Sequence, residues 1–267
     1  MGKPVLEDLV EESAQLDTLV AGLEPAAWRR PTPARGWTIA HQIAHLAWTD
    51  RRAALAVLDP DGFASEAEVA AASFDTYVDH GARRGAELPP GELLARWRDG
   101  RARLHEALAA QPDGVRFRWY GPPMSTASMA TGRLMETWAH GEDVADALGV
   151  RREPTARLWH VARIGVRARD FAFSVHGKPA PAEEFRVELT APDGSLWAFG
   201  PADAAQRVTG TALDFCLLAV RRRHRDDVDV HAEGTDADAW LSVVQAFAGP
   251  PGESRPPSGE AAAGAAG

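Results

Sequence analysis

Gly36-Trp37-Thr38-Ile39-Ala40-His41-Gln42-Ile43-Ala44-His45-Leu46-Ala47 opens a helix and carries candidate chemistry in the same twelve residues. Ile39, Ile43, Leu46 and Leu55 recur at helical spacing. Pro25, Pro31 and Pro33 break the chain ahead of it, and Asp59-Pro60-Asp61-Gly62 ends the run after Leu58. A second stretch, Arg133-Leu134-Met135-Glu136-Thr137-Trp138-Ala139-His140-Gly141-Glu142-Asp143-Val144, lies in a predicted helix from about Ser125 to Leu148, with Gly149 placed to cap its end. On a helix, residues four apart share a face. His41 and His45 form one such pair, Glu136 and His140 the other.

Outward from these two stretches, the first 150 residues read as helices. Val5, Leu6, Leu9, Val10, Leu16, Leu19, Val20 and Leu23 form one apolar stripe. A weaker helix is predicted from about Ser65 to Ala86, and Pro89-Pro90-Gly91 opens another through Leu93, Leu94, Trp97, Leu104 and Leu108. Phe117 to Pro123 reads as a loop. Long helices with short connections predict a bundle of four or more. A connecting helix follows, about Thr155 to Val175. After Pro181 the period changes to two. Phe185, Val187 and Leu189 alternate with polar residues, Pro192-Asp193-Gly194 turns the chain, and Leu196 to Phe199 returns. Thr211 with Asp214 predicts a capped helix through Phe215 and Leu218, Val228 and Val230 a strand, and Thr235 the cap of a last helix containing Trp240, Val243, Val244 and Phe247. The expected organisation is therefore a helical domain over 1–150, a connecting helix and small α+β domain over 151–248, and a Pro/Gly/Ala-rich tail over 249–267 expected to be disordered.

The formal charge of -9 over 267 residues argues against general nucleic-acid binding. Acidic residues interrupt residues 1–20, so no signal peptide is read there, and no stretch reaches the ~20 apolar residues of a membrane span. Cys216 is the sole cysteine, which excludes an internal disulfide and soft thiolate ligation. The expectation is a cytoplasmic protein with no nucleic-acid or membrane partner.

Two antiparallel helices bearing the paired residues present up to four nitrogen and oxygen ligands across one gap. Imidazole with carboxylate suits Zn²⁺ or another borderline divalent ion. His pairs and Glu-His pairs at this spacing also occur on ordinary helices. Here they sit in apolar helices beside Trp37, Trp48 and Trp138, where unpaired His and Glu would be costly. The other histidines show no paired spacing, and Cys216 falls on an apolar stripe.

These motifs resemble those of the DinB/YfiT-like metal-dependent superfamily, in the branch typified by mycothiol-dependent maleylpyruvate isomerase. Asp214 to Leu218 and Gln245 to Gly252 resemble an uncharacterised actinobacterial metal-binding subgroup of it. The resemblance spans about residues 5–250. It implies a DinB-like four-helix bundle with a small C-terminal α+β, sterol-carrier-protein-like domain. It implies one divalent metal, usually zinc, on His45, Glu136 and His140. His41 is left out of that set and is expected to meet solvent or Asp50. It also implies an Arg of the second domain that aids substrate binding, aligned here to Arg222 within Arg221 to Arg225. Asp143 is a candidate acceptor for a ligand imidazole N–H, and Arg133 a candidate partner for Glu136 or an anionic substrate. The function implied is a thiol-dependent S-transferase or isomerase, with mycothiol as thiol cosubstrate and a small electrophile, carboxylate-bearing, as substrate. The alternatives are a hydrolase using metal-bound water and a non-catalytic, metal-stabilised binding module. A monomer or homodimer is expected.

Overall fold

The computed structural model describes residues 3–71, 74–249 and 255–258. The chain forms two compact units, Met1–Arg152 and Glu153–Gly267, with ten α-helices among the described residues.

In the first unit, α1 (Lys3–Val20), α2 (Ile39–Leu58), α5 (Pro90–Ala109) and α6 (Thr126–Leu148) form the bundle. Two further helices, α3 (Pro60–Ala71) and α4 (Phe74–Ala86), are inserted between α2 and α5, and α4 packs on α2. The core is built where the apolar stripes meet. Ile39, Ile43 and Leu46 of α2 pack with Leu16 and Val20 of α1 and Leu93 and Trp97 of α5. Asp17 of α1 accepts from Arg98 (2.8 and 2.6 Å) and Arg101 (2.5 Å) of α5. The Arg98 hydrogen bond leads the causes that hold the Asp17 carboxyl below its usual range. Arg152 is buried after α6. It donates to Glu12 and Gln15 (2.8 Å) of α1 and to Glu142 (3.0 Å) and the Trp138 carbonyl (3.1 Å) of α6.

Asp59-Pro60-Asp61-Gly62 ends α2 as expected, but α3 begins immediately rather than near Ser65. The Asp59 N–H closes α2 on the Leu55 carbonyl, while its carboxylate accepts from the Gly62 N–H at 3.0 Å. Pro60 then occupies the first turn, where its missing N–H costs nothing. The loop expected over Phe117 to Pro123 connects the strands of a small antiparallel hairpin, β1 (Arg116–Phe117) with β2 (Met124–Ser125), and only Phe117 of that loop lies in a strand. Gly149 ends α6 at φ 68°, the left-handed cap its sequence position predicts.

The second unit starts with α7 (Leu158–Arg167) and α8 (Arg169–Val175), which the sequence reads as one helix. Ala168 at φ -85°, ψ 6° separates them, a one-residue tightening that apolar periodicity does not register. A four-stranded sheet follows, in the order β4-β3-β5-β6, from β3 (Phe185–Thr190), β4 (Leu196–Phe199), β5 (Gln206–Thr211) and β6 (Val230–Glu233). β3 and β5 run parallel; the outer pairs are antiparallel. β5 carries no alternating apolar signal, since Val208 is its one large apolar residue, although it is an inner strand. Helix α9 (Ala212–Ala219) is capped by Thr211, whose hydroxyl accepts from the Asp214 N–H at 3.0 Å. It buries Phe215, which with Phe185 packs around Trp240 of α10 (Thr235–Leu241).

The cap of α10 differs from expectation. Thr235 is already helical, Gly234 is the cap residue at φ 100°, and the Gln206 side-chain Oε1 accepts from the Asp236 and Ala237 N–H groups, each at 3.0 Å. A Cβ on Gly234 would lie 2.3 Å from that oxygen. The helix also ends sooner than expected. Val243, Val244 and Ala246 are buried beyond it, where the Ala246 N–H bonds the Ala219 carbonyl at 2.8 Å. Of the tail over 249–267, Gly249 and residues 255–258 are described, and Ser258 donates through N–H and hydroxyl to the Asp227 carboxylate. The expectation for the rest lies outside the described residues.

Two outcomes follow for the second unit. Gln206→Ala removes both caps of α10 and should lower stability in urea unfolding by about 1–2 kcal/mol, whereas Thr235→Ala should change it by less than about 0.5 kcal/mol. Cys216 is fully buried and burial pushes its thiol pKa well up. It should resist iodoacetamide at neutral pH in the native protein and react fully in guanidinium, as mass spectrometry would show.

Candidate metal centre

The middle of α2 lies against the middle of α6, and this contact brings His45 to Glu136 and His140. His45 Nε2 is 3.4 Å and His140 Nε2 3.2 Å from the same atom, Glu136 Oε2. The two ring centroids are 4.5 Å apart. Both imidazoles are buried, while the Glu136 side chain keeps 25% exposure, so the group is open on the carboxylate side. Among the described residues, these are the His, Cys, Asp or Glu side chains grouped closely enough to share a cation.

The distances test that fit. A charge-assisted N–H···O bond is usually about 2.7–2.9 Å. Donors around a tetrahedral ion with bonds of about 2.0–2.1 Å lie about 3.3–3.4 Å apart. The two N···O separations, 3.4 and 3.2 Å, lie nearer the second spacing, and all three donor atoms lie within 4.8 Å of one another. Burial alone would raise the Glu136 pKa, but hydrogen bonds from His140 and His45, with their charges, outweigh it and hold the carboxyl well below its usual range. The acid is therefore anionic at neutral pH, as a ligand must be. His45 Nδ1 is buried without a hydrogen-bond partner, so the Nε2 side carries that ring's polar contact.

A relay fixes the second imidazole. The Trp37 carbonyl accepts from the Thr32 hydroxyl at 3.0 Å. A carbonyl cannot donate, so the Thr32 oxygen is left to accept, and it does so from Gln42 Nε2 at 2.8 Å. This turns the Gln42 amide oxygen toward His140 Nδ1 at 2.5 Å, which must then carry the proton. His140 Nε2 is thus the ring nitrogen turned toward Glu136, and the one that would give up its proton to a metal ion. Gln42 and Thr32 were missed in the sequence. The available signal was that Gln42 lies one turn before His45 on the same helix face.

The Trp37 indole stacks on His140 (centroids 6.0 Å, planes 17° apart) and leans on His45 at 5.5 Å. Its Nε1–H reaches Asp79 of α4 at 3.3 Å. His41 takes no part in the group and does not meet Asp50. Its Nδ1 accepts from the Thr38 backbone N–H at 3.3 Å and lies 2.8 Å from the Thr38 hydroxyl, closing the N-terminus of α2. Arg133 pairs neither with Glu136 nor with a ligand group. Its Nε donates to Asp50 at 2.8 Å in an ion pair buried between α6 and α2. Asp143 is buried. Glu142 and Gly141, from the same motif, serve the scaffold: Glu142 takes Arg152, and a Cβ on Gly141 would lie 2.7 Å from Arg152 Nη1.

Arg222 belongs to the second unit. The Arg221 N–H bonds the Leu218 carbonyl and the Arg222 N–H the Leu217 carbonyl, a Schellman end to α9 with Arg221 at φ 60° where glycine is usual. Arg222 Nη1 donates to the Val220 carbonyl at 2.8 Å.

The family described as mycothiol maleylpyruvate isomerase N-terminal domain matches residues 9–145, and one described as wyosine base formation matches residues 181–233. The chain is 58% identical over 252 residues to "Uncharacterized protein Rv0036c" of Mycobacterium tuberculosis (strain ATCC 25618 / H37Rv), covering 94% of this chain and 98% of the relative. The same values hold for "Uncharacterized protein MT0041" of strain CDC 1551 / Oshkosh. A crystal structure of mycothiol-dependent maleylpyruvate isomerase superposes with a TM-score of 0.58 at 16% identity, covering 87% of this chain and 92% of that one, as does a point mutant of the same enzyme. At that identity the superposition speaks for the fold. The match over the helical unit, which contains both helix motifs, makes this chain a member of the mycothiol maleylpyruvate isomerase N-terminal domain family, in the DinB-like branch.

Proposed function

We propose that the chain holds one divalent cation, zinc in the first instance, on His45, Glu136 and His140, and that it activates a small-molecule thiol of the mycothiol type for addition to a small electrophile. The observation that supports this is the convergence of two imidazole Nε2 atoms on one carboxylate oxygen at ligand-to-ligand spacing. Three protein donors leave a coordination position open. When bound, the ion supplies a Lewis acid that lowers the pKa of a thiol placed there. The chain's own residues prepare the site. Glu136 offsets positive charge. Gln42 and Thr32 hold His140 in its Nδ1–H form. Trp37, tethered by Asp79, covers one side of the imidazole pair and keeps water from it.

The nucleophile must come from outside the chain, because the thiol of Cys216 lies in the core of the second unit. Membership of the family supports mycothiol as that thiol. A carboxylate on the electrophile suits a guanidinium, and Arg222 is assigned this contact on the resemblance of its position.

Elemental analysis should find about one zinc per wild-type chain and none in His45→Ala, Glu136→Ala or His140→Ala, each with native circular dichroism. Gln42→Ala should keep the fold and bind zinc about 10–100-fold more weakly. Metal retained in all three ligand variants would overturn the site.

Calorimetry should detect mycothiol binding to the zinc-loaded protein and not to Glu136→Ala. With an electrophilic α,β-unsaturated carboxylate, thiol-dependent turnover is expected, and Arg222→Ala should raise KM more than it lowers kcat. Turnover independent of thiol would replace the thiol reading with hydrolysis.

A further inference from the structure

A cleft of about 620 Å³ lies in the first unit between α2, α4 and α5. None of His45, Glu136 and His140 lines it. Its size falls in the range of small-molecule sites, about 300–1,000 Å³. Its charge sets it apart. In a chain of formal charge -9, the lining carries four arginines, 51, 52, 84 and 96, against one carboxylate, Glu87.

The four arginines are not equivalent. Arg52 is held in place: its guanidinium lies 4.3 Å from the centroid of the Trp48 ring and pairs with Glu66 at 3.4 Å. Its Nε is buried with no acceptor. Arg96 pairs with Glu92 at 2.7 Å. Arg51 of α2 and Arg84 of α4 are exposed and have no acidic partner among the described residues. Two uncompensated guanidiniums, from different helices, thus meet at one cleft. Exposed cations of this kind contribute little to folding.

The cleft also has an apolar side. Ala44, Ala47 and Leu93 are buried in its lining, with Trp48 and Leu88 half-buried. The small residues of α4 set its shape. A Cβ on Gly81 would lie 2.4 Å from the Trp48 indole nitrogen, and one on Gly85 would lie 2.7 Å from Ala44 Cβ. α4 therefore rests its glycines directly on α2, Gly81 on the Trp48 indole and Gly85 on Ala44, so the two helices meet closely along the floor of the cleft.

We propose that this cleft is a second binding site, separate from the candidate metal centre, for a small organic anion with an aromatic or aliphatic body. Arg51 and Arg84 meet the charged end through paired N–H···O bonds. The body lies along Trp48, Leu88 and Leu93, where apolar contact adds to the attraction.

The test is calorimetric titration of the full chain with 2-naphthoate, with 2-naphthalenemethanol as a neutral counterpart. One-to-one saturable binding of the carboxylate is expected, weakening as salt is added, with the alcohol at least about tenfold weaker. Arg51→Ala with Arg84→Ala should lose about tenfold in affinity while keeping native circular dichroism and the wild-type metal content, and Arg84→Glu should lose more. His140→Ala should bind 2-naphthoate as the wild type does. Absence of saturable binding, equal binding of the alcohol, or indifference to the arginine substitutions would overturn the proposal. So would loss of binding in His140→Ala, which would place the anion at the metal centre. Retention there stands even if the metal reading fails, so the two are separable.

Discussion

The contact of α2 with α6 buries Gln42, His45, Thr49 and Asp50 against Arg133, Thr137 and His140. A helix interface this polar is stable only if most of its groups are answered, since an unanswered buried polar atom costs about 1–3 kcal/mol; in this seam His45 Nδ1 and Arg133 Nη2 are the buried atoms without a hydrogen-bond partner among the described residues. The answers are specific. Asp50 takes Arg133, the Thr49 and Thr137 hydroxyls bond carbonyls four residues back in their own helices, and Gln42 joins His140 to Thr32. His45 and His140 are then left aimed at Glu136. The candidate centre is built from side chains of this seam that the scaffold does not pair with one another.

That arrangement suits a reactive site. Its donors stand on two long helices, not on loops, and their rotamers are held by neighbours that touch no substrate. The Arg133–Asp50 pair is weak evidence for net stability, because desolvation of two charges offsets much of their attraction. Its place one turn along the seam from the His45–Glu136 contact points to a different use: it fixes the register in which α2 meets α6. Arg152 does the same for α1 and α6 through Glu12 and Glu142. Neighbouring residues of one motif thus divide their work by helix face, with Glu136 and His140 toward the centre and Gly141 and Glu142 toward the arginine.

Elements whose apolar residues repeat were legible: the bundle helices, the alternation of β3, the cap at Gly149 and the Thr211 cap of α9. Elements defined by a partner were not. β5 has a single large apolar residue, yet it is an inner strand because β3 and β6 both pair with it. The cap of α10 comes from Gln206, some thirty residues upstream. His41 had the spacing of a ligand, but its ring nitrogen lies nearer to Thr38 and closes the helix start instead.

The sequence by itself determined the helical unit, the change to an α+β unit after Pro181 and the residues capable of chemistry, because hydrophobic period and i, i+4 spacing are local properties of a chain. Tertiary structure decided which of those residues meet. The distance between His45 and Glu136, the proton on His140 Nδ1, the pairing of Arg133 with Asp50 and the cleft floored by Ala44 under Gly85 all depend on how one helix lies on another. Each is set by atoms brought from distant points in the chain, whose approach no local pattern encodes.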